Sequence, residues 1–139
     1  MKFTLALLSF AVLVGTAPHA RGSDHPEIAA ESAALAWLGL VDAGQYSASW
    51  DAASALFRQH ILQSQWQTAA ANARAPLGAL KSRKVQSATF TRSVPGAPDG
   101  EYVIVTFASS FENKGSAIET VTPMLDTDGS WRVSGYYIR

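Results

Sequence analysis

From Pro26 to Gly44 the apolar positions Ala30, Ala33, Ala34, Trp37, Leu38 and Val41 recur at spacings of three and four, which places them on one face of a helix. Pro26 suits the first turn, and Gly44 suits a left-handed stop after Asp42 and Ala43. The run YSASWDAASALFRQHIL puts Trp50, Ala53 and Phe57 on one side, with Tyr46 a turn earlier, and predicts a second helix begun near Ser47. In QSQWQTAAANARAPLG, Ser64 and Gln67 have the spacing of a capping box, and Ala75-Pro76 with Gly78 ends a third helix.

From Lys84 onward the period changes to two. KVQSATFTR alternates loosely, and VPGAPDG is a Pro/Gly loop. EYVIVTFASSF sets Val103, Val105, Phe107 and Phe111 on one face, with Tyr102, Ile104 and Thr106 on the other. Turns at Asn113-Lys114-Gly115 and Asp128-Gly129 separate two further strands, SAIETVTPMLD and WRVSGYYIR. Pro123 cannot donate to a ladder, so its strand lies at an edge or carries a bulge there. The predicted fold is α+β, three N-terminal helices packed on a curved four-stranded antiparallel sheet, with Trp37, Trp50 and Trp66 between the layers.

Strict alternation in the last strand puts Trp131, Val133, Gly135 and Tyr137 on the helix side and Arg132, Ser134, Tyr136 and Ile138 outside. On that reading Gly135 leaves room for Trp50 or Trp66. Tyr136 and Arg132 then join Tyr102, Ile104 and Thr106 in an outer apolar patch, across which two copies would pair as a homodimer.

The N-terminus changes the picture of compartment. Lys2 precedes an apolar run from Phe3 to Val14 and then small residues, the layout of a signal peptide over residues 1–22, cleaved after Ala20 or Gly22. That run is shorter than the roughly 20 residues needed to cross a bilayer, and no later segment reaches that length, so no membrane span is expected after processing. A single domain over residues 23–139 is left, periplasmic or secreted. The chain has no cysteine, which excludes disulfides, thiolate chemistry and a lipidated anchor. Its 11 basic residues balance 11 acidic ones, so nucleic acid is not an expected partner.

Candidate chemistry is sparse. Asp42, Asp51 and His60 could serve acid–base work beside Tyr46, Tyr136 or Tyr137, but each also fits a helix end or a wet surface, and no catalytic residue is assigned. His25 and His60 are the histidines left after the leader, and no GxSxG elbow occurs, so serine hydrolysis is disfavoured. Cleavage after Gly22 would expose Ser23-Asp24-His25, a nitrogen set suited to Cu(II) or Ni(II), whereas cleavage after Ala20 would destroy it. No metal site or cofactor is assigned. Arg74 and Arg83 bracket APLGALKS, where they either satisfy helix carbonyls or clamp an anion. The binding candidates are Trp50, Trp66, Arg74, Tyr102, Arg132, Tyr136 and Tyr137, facing a small apolar or anionic ligand or a protein partner.

The succession AWLGLVDAGQYSASW, then QW with RAPLG, then PDGEYVIVTFASSFENK, and ETVTPMLDTDGSWRVSGYYI resembles the bacterial domain-of-unknown-function family 4019 over roughly Ala33 to Ile138. The resemblance implies a cystatin-like, nuclear-transport-factor-like α+β cone, whose curved sheet wraps a long helix and often leaves a pocket. That superfamily includes enzymes, ligand carriers and dimeric adaptors, so it assigns no activity and carries no catalytic residue across. The expectation is an exported, non-catalytic binding module using a sheet face or a cone pocket. The rival is a small acid–base enzyme of the isomerase or dehydratase kind.

Overall fold

A computed structural model describes residues 25–139. Helix α1 (Pro26–Asp42) is followed by α2 (Tyr46–Ala52), α3 (Ala55–His60), α4 (Gln63–Arg74) and a 3-10 turn over Ala75–Leu77. The sheet comprises β1 (Leu80–Thr91), β2 (Tyr102–Phe111), β3 (Lys114–Leu125) and β4 (Trp131–Ile138). Its strand order is β1-β2-β3-β4, every pair antiparallel, which is the expected meander.

Helix α1 buries Ala30, Ala34, Trp37, Leu38 and Val41, the stripe its periodicity marked. The second expected helix is two helices, making four in place of three among the described residues. The break falls at Ala53 and Ser54, both extended. Ser54 Oγ accepts from Phe57 N at 3.1 Å, capping α3. Its own N–H donates to Val133 O on β4 at 2.9 Å, a tertiary bond that a continuous helix would forbid. The cap of α4 also differs from expectation. Gln65 Oε1 accepts from Leu62 N at 3.1 Å, and Ser64 lies inside the helix rather than at a cap.

On the helix-facing side of the sheet, Val103, Val105, Phe107 and Phe111 are all buried, as the alternation required. The phase also holds along β3 but breaks in β1 and β4. Strand β1 has irregularities between Leu80 and Ser82 and between Val85 and Ser87, which accounts for its loose pattern. In the β3–β4 pair, Thr122 faces Gly135 while the next residue, Pro123, faces Val133, so β4 carries one extra residue. Pro123 therefore marks a bulge, not an edge, because β3 lies between β2 and β4.

That bulge corrects the reading of the C-terminal tyrosines. Cross-strand partners in a ladder share a face, and Tyr136 is opposite the fully buried Val121. Tyr136 therefore points inward and Tyr137 outward, 62% exposed, which is the reverse of strict alternation. The outer patch shrinks for a second reason. Tyr102 is on the outer side, yet the 92–100 loop covers it, and its hydroxyl donates to Pro98 O at 2.6 Å.

The core between the layers is aromatic. Trp37 lies 5.6 Å from Trp66, 5.5 Å from Tyr136 and 6.3 Å from Phe57, ring centroid to centroid. Both buried indoles are satisfied by one residue: Trp37 Nε1 donates to Ser49 O at 2.8 Å, and Trp66 Nε1 to Ser49 Oγ at 2.9 Å. Trp50 is not fully part of this core. It is half-buried, with its Nε1 donating to Ile61 O at 2.8 Å.

Candidate functional site

Every strand and two helices converge on a buried ionic cluster. Asp42 ends α1 and Arg74 ends α4, so an acid and a base meet where the two helices finish. Arg74 Nη2 donates to Asp42 Oδ1 at 2.6 Å. Arg83 of β1 grips the same carboxylate with two bonds, at 2.7 and 2.9 Å, and its Nε reaches Glu119 Oε1 of β3 at 2.8 Å. Glu119 has no exposed surface and also accepts from Ser109 Oγ of β2 at 2.5 Å and from Tyr136 Oη of β4 at 2.6 Å.

The charges in this cluster balance, two acids against two bases. Burial alone would push the Asp42 carboxyl upward, but the hydrogen bonds from Arg83 and Arg74 outweigh it and hold the group below its ordinary value. Burial, and then the Glu119 charge beside it, pushes the Tyr136 phenol far above its ordinary range, so this hydroxyl is held as a donor. Arg74 stacks over Phe111 at 4.8 Å, and its Nε and Nη1 are buried without a hydrogen-bond partner among the described residues.

A cleft of about 420 Å³ opens beside this cluster. One wall is Leu56, Phe57 and His60 of α3, followed by Ile61 and by Trp66 of α4. The opposite wall is the loop segment Val94, Pro95, Gly96 and Ala97, with Tyr102 beneath it. Between them the bulged part of the sheet supplies Thr122, Ser134, Gly135 and Tyr136. Among the described residues, no Lys, Arg, Asp or Glu lines the cleft.

Three of the seven residues singled out from the sequence, Trp66, Tyr102 and Tyr136, meet at this cleft. The other four do not. Trp50 is tied to Ile61 and lies under the Arg58 guanidinium at 6.0 Å. Arg74 clamps an anion, but it is the protein's own Asp42. Arg132 forms two bonds to Asp128, at 2.8 and 2.7 Å, and Tyr137 faces outward. Asp51 is exposed and accepts from Gln63 Nε2 at 3.1 Å.

Glu119 was not among the sequence candidates, although a signal existed. It occupies the inward phase between Ala117 and Val121, both buried, so a carboxylate there had to find partners inside. Among the described residues no cluster of three or more His, Cys, Asp or Glu could hold a metal ion. The Ser23-Asp24-His25 arrangement and the leader fall on residues 1–24 and so lie outside the described residues, except for His25. No helix among the described residues is long and apolar enough to cross a membrane.

The chain belongs to the DUF4019 family, described as a protein of unknown function, whose profile matches residues 33–136. No curated protein and no solved structure matches it.

Proposed function

We propose that this protein is a non-catalytic binding module that receives a small apolar ligand in the cleft between α3 and the 92–100 loop. The observation that carries this reading is the floor of the cleft at Gly135. A Cβ built there would meet nothing nearer than Thr122 Cβ at 3.9 Å, an ordinary contact, so the fold does not require glycine at this point. Glycine in a strand interior gives up roughly 0.5–1 kcal/mol relative to alanine. Gly135 shares a face with Thr122, and both line the cleft, so the missing side chain leaves that part of the lining open. The layered arrangement, helices against one side of a meander, supports the nuclear-transport-factor-like comparison in which such pockets recur. The apolar leader supports export, so the ligand would be met in the periplasm or outside the cell.

The enzyme reading has one pair in its favour, the buried Glu119 beside the Tyr136 hydroxyl. Against it, the Glu119 carboxylate already accepts from three donors and does not line the cleft. A general base must be free to reach a substrate proton.

Gly135→Leu tests the proposal. With N-phenyl-1-naphthylamine, a neutral apolar fluorophore, the wild type should show saturable enhancement. The variant should lose at least tenfold in affinity while unfolding at the same or higher urea concentration. Equal binding by both proteins, or none by the wild type, would overturn the reading.

A further inference from the structure

Resting on the cleft as the binding site, we infer that its ligand is a neutral apolar molecule carrying one hydrogen-bond donor, a hydroxyl or phenol, which His60 accepts. His60 is the last residue of α3, and its Nδ1 lies 2.8 Å from Leu56 O. A carbonyl oxygen only accepts, so Nδ1 carries the hydrogen. In the neutral ring the lone pair is then on Nε2, on the far side of the imidazole from that anchor, and Nε2 has no hydrogen-bond partner among the described residues. His60 is part of the cleft wall, so its ring brings an acceptor of fixed tautomer to a lining made mostly of aliphatic and aromatic residues.

Four side-chain donors on the same walls are already spent. Tyr102 Oη donates to Pro98 O at 2.6 Å, Tyr136 Oη to Glu119 at 2.6 Å, Trp66 Nε1 to Ser49 Oγ at 2.9 Å, and Ser134 Oγ to Thr122 O at 2.7 Å. The Thr122 hydroxyl is the remaining side-chain group, able to give or take one bond. A carboxylate or phosphate would therefore enter a cleft where, among the described residues, no Lys or Arg lines the walls and Thr122 is the one uncommitted side-chain hydroxyl, so little there offsets its desolvation. A hydroxylated ligand leaves its ring among the aromatics and gives its one hydrogen to Nε2. This narrows the ligand class from apolar or anionic to neutral, with a donor head.

Three probes of one shape test the inference by titration calorimetry at pH 8: 2-naphthol, 2-methoxynaphthalene and 2-naphthoate. A single neutral hydrogen bond is worth roughly a factor of two to twelve in affinity, so 2-naphthol should bind about fivefold tighter than its methyl ether. The naphthoate should bind more weakly than either. In His60→Phe, a change at an exposed position that keeps a flat ring, the naphthol-to-ether ratio should fall to about one. A methyl ether binding as tightly as naphthol, a naphthoate binding tightest, or an unchanged ratio in His60→Phe overturns the inference while leaving the cleft as a binding site. If none of the three binds, the cleft reading falls with it.

Discussion

Replacing Glu119 by leucine removes one charge from the buried cluster while nearly conserving volume. In the wild type, Arg83 is shared between Asp42 and Glu119, and Arg74 is held by Asp42. Without Glu119, two guanidinium groups face one carboxylate, leaving one positive charge uncompensated. The Arg83 side chain is 8% exposed, so water offers that charge little screening. Ser109 Oγ and Tyr136 Oη also lose their acceptor. Breaking a buried pair from one side costs about 3–5 kcal/mol, which for a domain of this size lowers Tm by about 10–20 °C. Urea unfolding followed by tryptophan fluorescence measures the loss. Glu119→Gln keeps an acceptor for Arg83 and should fall between the two. The decisive variant is Arg83→Met combined with Glu119→Leu. It leaves the Asp42–Arg74 pair neutral and should be more stable than Glu119→Leu alone. A loss under about 1 kcal/mol for Glu119→Leu, or a double variant no better than the single one, would refute the claim that charge balance governs this site.

Acid should unfold the protein by way of Asp42 in the same cluster and of Asp126, which is bonded to the start of α3. The Asp42 carboxyl lies below its ordinary 3.8 in the fold, and the backbone N–H groups of Ala55 and Thr127 lower Asp126 likewise. As pH falls, the unfolded chain therefore takes up protons first, and stability present above about 4 is lost as pH descends through the folded values. In Asp42→Asn, already destabilised at pH 7, the remaining acid dependence should be shallower, as read from urea midpoints between pH 7 and 3. Ser54→Ala removes the cap of α3 but keeps the N–H bond to Val133, and should cost about 1 kcal/mol in the same assay without changing the sheet signal in circular dichroism.

What could be read in the chain, and what could not, follows from how far each interaction reaches. Helix α1 and the inward face of β2 are set by local period against one greasy interior, and both agree with the pattern. The break at Ser54 could not be seen locally, because Trp50, Ala53 and Phe57 keep helical spacing straight through it. Its cause is a bond to Val133, in a strand that local sequence does not place nearby. The ionic cluster is worse in this respect. Asp42 and Arg83 are 41 residues apart, and nothing in either neighbourhood names the other.

The C-terminal strand shows where an alternation argument should stop. Pro123 signals that the ladder is interrupted, but the extra residue lies on the partner strand, at Ser134. Strict alternation carried through that point puts Tyr136 outside and leaves the buried Glu119 carboxylate with two donors, Arg83 Nε and Ser109 Oγ, in place of three. Advancing the phase by one residue after the bulge turns Tyr136 toward Val121 and its hydroxyl to Glu119, and it leaves Gly135 opposite Thr122 on the cleft floor. Of the two registers, the one the fold adopts gives the inward acid its third donor and buries the Tyr136 ring against Trp37 and Trp66. A single inserted residue therefore both completes the ionic cluster on the helix side of the sheet and sets Gly135 beside Thr122 in the lining of the candidate cleft.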